Sequence, residues 1–119
     1  MATVNYSCVL IDNKEYPRAI NILKTEYNKN SQNYLVYNNL GYAYFLTERY
    51  QSALESYTLS IELEKNNPLA YCNRGNLIYN ILNDDDGIKD LLKSYELGDY
   101  EAGMILQTIN TKNCLELKN

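Results

Sequence analysis

The sequence predicts an all-α fold in which short helical hairpins stack one after another. A recurrence at 34 residues is the first reason, since Tyr37 and Gly41 return as Tyr71 and Gly75. A fixed period of about this length is typical of repeated helical hairpins, each too small to bury its own apolar face. Apolar residues at helical spacing along 50–64 are the second reason, and the lack of strictly alternating stretches is the third.

Seven helices follow from this pattern and from the residues that begin and end helices. Pro17 and Pro68 suit the first turn of a helix, where a missing N–H costs nothing. Gly98 followed by Asp99 is typical of a helix end and of the N-cap of the next helix. The expected helices lie near residues 2–12, 15–29, 34–46, 50–64, 68–82, 85–97 and 99–116.

Small and aromatic residues share the predicted interface of the middle hairpin. Gly41 and Ala53 are expected where its two antiparallel helices come closest, because only small side chains fit at such a contact. Tyr37, Tyr44 and Tyr57 are expected to fill the space around it.

These positions resemble the tetratricopeptide pattern W-x2-L-G-x2-Y…A-x3-F, with Tyr in place of Trp and Phe. The matching residues are Tyr37, Leu40, Gly41 and Tyr44, followed by Ala53 and Tyr57. The resemblance implies a right-handed α-solenoid of three hairpins plus a capping helix, in a single domain. The implied repeats are 1–33, 34–67 and 68–101, with the capping helix at 102–119. The first repeat has Ser7 where Gly is usual, and the third has Gly87 where Ala is usual.

The last helix carries an apolar stripe that includes Met104, Ile105 and Ile109. An array of hairpins leaves an apolar face at its end, and a capping helix covers that face. We therefore expect Met104 and Ile105 at or near the buried side of this helix. The alternative is a homodimer contact, since Leu115 and Leu117 extend the apolar surface.

Composition and charge narrow the range of partners. The chain has 119 residues, a net charge of −4 and no run of Lys or Arg, which argues against a nucleic-acid partner. It has no apolar stretch of membrane-spanning length, and Met1–Asn13 lacks the features of a signal peptide. A cytoplasmic protein without a membrane partner is expected.

Little in the sequence points to catalysis. The chain contains no His, which excludes Ser-His and Cys-His arrangements, and no glycine-rich phosphate loop follows a strand. The acidic run 84–86 is interpreted as a helix start rather than a calcium loop, because Leu82 and Lys93 stand where ligands are needed. We expect no catalytic residue and no cofactor.

The three cysteines do not form a recognisable metal or disulfide pattern. Cys8, Cys72 and Cys114 are odd in number and widely spaced, without a C-x2-C pair. They are interpreted as small, semi-buried residues, and no metal is expected.

A ligand surface is implied by the family resemblance. In tetratricopeptide arrays the first helix of each repeat lines a concave groove. Carried onto this chain, the groove residues are Asn5, Asn38, Asn39, Tyr42, Phe45, Asn73, Asn76, Tyr79, Asn80 and Gln107.

One position of the repeat within that groove has an Asn or Gln side chain each time it recurs. It is occupied by Asn5, Asn39, Asn73 and Gln107. A row of amides can donate to and accept from the backbone of an extended peptide, as in the asparagine ladder of O-GlcNAc transferases. The alternative is that an Asn-rich composition produced the row.

A second family site is not matched. The clamp that holds the C-terminal carboxylate of Hsp70 or Hsp90 uses Lys, Asn, Asn, Lys and Arg. The corresponding residues here are Val4, Cys8, Asn39, Leu69 and Asn73. Without its cations the clamp cannot pair with a carboxylate.

The sequence therefore predicts a non-catalytic adaptor that binds a protein or peptide segment in its groove. One alternative is a structural unit that assembles through its end faces. Another is an inhibitor or immunity-type partner of one folded protein, which would use the acidic convex surface.

Overall fold

The computed structural model describes the backbone of residues 2–28 and 31–118, and the side chains of residues 3–27 and 31–110. Within these ranges the chain is helical and has no β-strand. The helices are α1 (Ala2–Asp12), α2 (Tyr16–Asn28), α3 (Tyr34–Leu46), α4 (Tyr50–Leu63), α5 (Pro68–Asn76, continued by a π-helical turn at Leu77–Ile81), α6 (Gly87–Glu96) and α7 (Tyr100–Lys118). Their bounds lie within two residues of those expected from the sequence.

The chain divides into two compact units, Met1–Asn66 and Asn67–Asn119, where the sequence predicted one domain. The first unit holds two hairpins, α1–α2 and α3–α4. Both hairpins turn in the same way, because Lys14 and Glu48 adopt left-handed φ values of 63° and 62°. The next N–H in each turn, that of Glu15 or Arg49, then reaches back to a carbonyl of the preceding helix.

The predicted close contact in the middle hairpin is confirmed. A Cβ atom on Gly41 would lie 2.6 Å from the ring of Tyr57 and 3.2 Å from the carbonyl oxygen of Ala53. Tyr57 and Ala53 are both buried. The Ser60 hydroxyl also donates to the carbonyl of Tyr34 at 2.7 Å, which ties the end of α4 to the start of α3.

The second unit contains one hairpin and the long helix α7. Its hairpin closes just as tightly, since a Cβ on Gly75 would lie 2.7 Å from the carbonyl oxygen of Gly87. Arg74 and Asp90 bridge the same two helices through two hydrogen bonds of 2.7 and 2.9 Å. The Ser94 hydroxyl donates to the carbonyl of Pro68, as Ser60 does to Tyr34 in the first unit.

The third hairpin departs from the length of the other two. The left-handed turn residue is Asn83, 35 residues after Glu48, because the π-helical turn accommodates one extra residue. The N-caps Asn33 and Asn67 are 34 residues apart, but Asp99, whose side chain accepts from the N–H of Glu101, follows only 32 residues later. The third repeat is therefore two residues shorter than the period.

Because the third repeat is shorter, α7 begins earlier than the 34-residue period predicts. α7 begins at Tyr100, two residues before the predicted boundary of the capping helix at 102. Its buried side carries Ala102 and Ile109, which pack with Cys72 and Leu91. Met104 follows the buried Ala102 by two residues, which places it about 200° around the helix. Met104 is 57% exposed, and its predicted burial is wrong.

The other predictions for the last helix concern Ile105 and the residues near its end. Ile105 packs against the core of the second unit, as predicted. Cys114, Leu115 and Leu117 lie outside the residues whose side chains the structure describes.

Candidate functional site

The first unit presents a surface on its two first helices, which we call the α1–α3 face. It consists of Asn5, Cys8, Asn39, Tyr42 and Phe45. Asn5 and Cys8 are exposed on α1, and Asn39 is half-buried on α3. All five positions follow the predicted groove side of the helices.

The amide of Asn39 is held in a fixed orientation. Its Nδ2 donates to the Oγ of Ser7 at 3.1 Å and to the Sγ of Cys8 at 3.3 Å. The Ser7 hydroxyl in turn donates to the carbonyl of Val4 at 2.7 Å. Both Nδ2 hydrogens are engaged, while Oδ1 has no hydrogen-bond partner among the described residues. Asn39 can therefore accept a hydrogen bond from a ligand but has no donor left to offer.

Beside this acceptor lies an aromatic stack. The rings of Tyr42 and Phe45 are 6.4 Å apart and nearly parallel, at 9°. Tyr50 meets the Phe45 ring edge-on at 5.9 Å. Phe45 is fixed between the two tyrosines, and Tyr42 remains 42% exposed. Tyr42 thus offers a rigid aromatic surface that can pack against an apolar or planar group.

Asn38 does not belong to this surface. Its residue is only 2% exposed, so its assignment to the groove is wrong. Every buried side-chain N or O atom in the described part of the chain has a hydrogen-bond partner. Asn38 is therefore a satisfied interior residue of α3 and is unavailable to a ligand.

The corresponding residues of the second unit are only partly accessible to a ligand. Asn73 and Asn76 are half-buried and Asn80 is exposed. The Nδ2 of Asn80 donates to Oδ1 of Asn76 across the π-helical turn. Tyr79 packs against the core formed by Cys72 and its neighbours, so part of its ring stabilises the unit.

Gln107 does not continue the amide series. The register shift of α7 moves it two positions, and it lines a depression together with Leu92 and Tyr95 of α6. Its predicted place in the groove is therefore wrong. The position that corresponds to Asn39 and Asn73, counted from the start of each helix, is Ile105.

The electrostatics of the first helices are nearly neutral. α1 and α3 contain one charged residue between them, Asp12. α5 contains Arg74, whose pKa is raised by its hydrogen bonds with Asp90 and whose charge is paired with that carboxylate. No side chain on α1 or α3 can neutralise an acidic ligand.

The buried thiol of the second unit is unreactive at neutral pH. Burial raises the pKa of Cys72 to about 12, and the carboxylates of Asp99 and Glu101 add to the rise. Cys72 is therefore a protonated core residue rather than a nucleophile. Cys8 and Cys72 are both free.

Metal-binding and membrane-spanning features are not found in the described part of the chain. No group of three or more His, Cys, Asp or Glu side chains there is arranged to hold a metal ion. No described helix combines the length and the apolar character needed to cross a membrane.

The comparisons with known proteins agree with this geometry. A family model described as TPR repeat matches residues 41–81. The first TPR of Spaghetti (RPAP3), bound to the HSP90 peptide SRMEEVD, superposes with a TM-score of 0.83 at 20% identity, covering 95% of this chain and 91% of that one. The chain has the tetratricopeptide-repeat fold.

Two further TPR domains show the same similarity. The Sgt2 TPR domain from Aspergillus fumigatus gives a TM-score of 0.85 at 16% identity, over 99% of this chain and 81% of that one. The second TPR domain of human RPAP3, in complex with the HSP70 peptide SGPTIEEVD, gives 0.80 at 21% identity, over 91% and 92%. The resemblance and the fold class predicted from the sequence are confirmed. Comparison with curated protein sequences gives no match.

A buried residue beneath the α1–α3 face was not predicted to have a role. Ser7 anchors Asn39, and it occupies the position where Gly41 and Gly75 stand in the later repeats. Its departure from the repeat pattern is the sequence signal that marks it.

Proposed function

We propose that this chain is a non-catalytic interaction scaffold that binds a polypeptide segment on the α1–α3 face. The observation that carries the proposal is the pairing of an oriented acceptor with an aromatic surface. Two hydrogen bonds of Nδ2 fix the Asn39 amide, and Tyr42, which is exposed, stands three residues later on the same side of α3. A backbone N–H of an extended peptide supplies the donor that Asn39 Oδ1 lacks, and an adjacent side chain packs on the Tyr42 ring.

The similar TPR domains support a peptide as the ligand, since two of them were solved with short peptides bound. Those peptides end in EEVD, whereas α1 and α3 carry no Lys or Arg. The segment bound here is therefore proposed to be neutral or basic at the contact. We also propose that binding takes place in the cytoplasm, because the three widely spaced cysteines of the sequence do not form the disulfide pattern of a small secreted domain.

A random peptide library displayed on phage tests this proposal and does not require the natural partner. Peptides selected on the wild-type chain would be titrated by fluorescence anisotropy. Tyr42→Ala should weaken their binding by about tenfold or more, because exposed aromatic anchors dominate interfaces. Asn39→Ala should cost roughly 0.5–1.5 kcal/mol, the contribution of one hydrogen bond.

Leu82→Ala is the control, since it removes an exposed apolar side chain that does not belong to the α1–α3 face. Equal affinity of the Tyr42 and Leu82 variants would contradict the proposed site. The inhibitor alternative makes a different prediction: binding would survive both changes on the α1–α3 face and would weaken strongly with salt.

A further inference from the structure

The second unit carries an exposed apolar surface between α6 and α7, which we call the α6–α7 face. Its members are Leu92, Tyr95, Tyr100, Gly103, Met104 and Asn110, and they border a depression of about 540 Å³. None of these six residues is charged. We propose that this face binds the same face of a second copy of the chain, forming a symmetric dimer.

The first unit shows what normally covers such a surface. There, Tyr27 of α2 packs edge-on against Tyr37, the fourth residue of α3, with ring centroids 5.6 Å apart. The seventh and eleventh residues of α3, Leu40 and Tyr44, border a depression with Leu59 of α4. Gly41, the eighth residue, lies against α4 as described above. Helix α4 therefore covers this side of the α2–α3 pair.

α6 and α7 repeat the arrangement of α2 and α3 but lack the covering helix among the described residues. Tyr95 of α6 packs on Gly103, the fourth residue of α7, where a Cβ would lie 2.8 Å from its ring. The seventh, eighth and eleventh residues, Leu106, Gln107 and Asn110, all line the depression. The α6–α7 face therefore corresponds to the surface that the second helix of a hairpin covers in the first unit.

A second copy of α7 can pack on this surface in the orientation that α4 has on α3. α3 and α4 are joined by a three-residue turn and run antiparallel. A two-fold axis perpendicular to α7 makes it antiparallel to its copy in the same way, so that each α7 packs on the α6–α7 face of the other copy. No residue that lines the depression is charged, so the centre of the contact brings no like charges together, although each chain has a net charge of −4.

The exposed area is sufficient for the centre of such an interface. Tyr95 is 56% and Tyr100 80% exposed, which leaves roughly 250 Å² accessible on two aromatic side chains. Leu92 and Met104 are each about half exposed and extend the patch into the range that marks interaction sites. A dimer of ordinary size buries about 800 Å² per partner with an apolar centre and a polar rim.

Sedimentation velocity on the full chain tests the proposal. Between about 1 µM and 1 mM, a range that covers weak homodimers, the wild-type mass should rise from 13.8 kDa towards twice that value. Tyr100→Ser combined with Met104→Gln should raise the dimer Kd by about tenfold or more. Both side chains are exposed, so the fold is retained, which far-UV circular dichroism would verify.

Leu82→Gln is the control, because Leu82 is an exposed leucine of the same unit that does not line the depression. Its dimer Kd should equal that of the wild type. A wild-type chain that keeps the mass of one copy at every concentration would overturn the proposal, as would a double variant that dimerises as well as the wild type. Capture of a different helical partner by a strictly monomeric chain would assign the face to that partner instead.

Discussion

Gly41 and Tyr57 form a contact in the first unit that leaves no room for a side chain at position 41. The distance of 2.6 Å from a hypothetical Cβ to the Tyr57 ring is too short for any real carbon atom. Tyr57 is 1% exposed and cannot swing into solvent. We predict that Gly41→Ala destabilises the chain by about 1–3 kcal/mol, the usual cost of overpacking, and that Gly41→Leu costs more. Urea unfolding followed by circular dichroism measures the change.

A double-mutant cycle with Tyr57→Leu tests the cause. The shorter side chain costs stability by itself, but it removes the ring that the methyl group introduced by Gly41→Ala would strike. The two changes together should therefore cost less than the sum of the single changes. Strict additivity would show that the ring is not what limits the residue at position 41.

Cys72 provides a pH-dependent contribution to stability. Its pKa of about 12 in the folded chain lies above the value of about 9 for an exposed thiol. Above pH 9 the unfolded chain loses this proton while the folded chain keeps it, so the contribution falls as pH rises from about 9 to about 12. We predict that the free energy of unfolding decreases more steeply over this range in the wild type than in Cys72→Ala.

Thiol reactivity gives an independent check of the same group. In a Cys114→Ser background, Cys8 is exposed and should react with a thiol reagent at pH 8 in the folded state, whereas Cys72 should react only after unfolding. Equal rates for the two thiols would contradict the burial of Cys72.

The α1–α3 face shows where sequence reasoning succeeds and stops at the residue scale. The family resemblance assigned Asn39 to the groove side of α3, and Asn39 is half-buried there with its amide hydrogen-bonded to Ser7 and Cys8. The resemblance placed Asn38 there as well, although Asn38 is buried. A neighbouring position on a helix differs by about 100°, so the edge of a face depends on packing that spacing does not contain.

At the scale of elements, the helix bounds were predictable and the register of α7 was not. Caps and prolines mark helix ends locally, which is why Pro68, Gly98 and Asp99 gave correct boundaries.

The π-helical turn adds one residue at the end of α5, and the third repeat is two residues shorter than the period. No strong sequence signal marks either change in length. The 34-residue period therefore continued the amide series to Gln107, whereas Ile105 occupies the corresponding place in α7. Met104 was grouped with the apolar stripe of α7, but it lies about 200° around the helix from the buried Ala102.

The buried side of α7 is required for the core of the second unit. Ala102 and Ile109 pack with Cys72 and Leu91. We predict that a chain ending at Gly98 loses several kcal/mol of stability, since a buried aliphatic side chain contributes about 1.5–3 kcal/mol. Urea unfolding and binding of an apolar dye measure the loss and the newly exposed surface.

Met104→Gln serves as the comparison for this truncation at concentrations where the chain is monomeric, because it changes α7 on its exposed side only. Its free energy of unfolding should stay within about 0.5 kcal/mol of the wild type. If the truncated chain were as stable as this variant, α7 would be an appendage rather than part of the core.

At the scale of the whole molecule, the charged residues lie almost entirely outside α1, α3 and α5. Fifteen Asp and Glu residues outnumber eleven Lys and Arg residues. Asp12 is the sole charged residue of α1 and α3, and Arg74 of α5 is paired with Asp90. Similarity of fold therefore does not by itself assign an acidic peptide to this chain as its ligand.

We predict that the peptide SRMEEVD, bound by the similar Spaghetti domain, shows no saturable binding to this chain below about 1 mM. An acidic segment needs cationic partners to offset the loss of its hydration, and none is present on α1 or α3. Isothermal titration calorimetry with the Spaghetti domain as positive control measures this directly. Micromolar binding of SRMEEVD to the wild-type chain would show instead that an uncharged surface can hold an acidic peptide, and the proposed preference for neutral or basic segments would then be wrong.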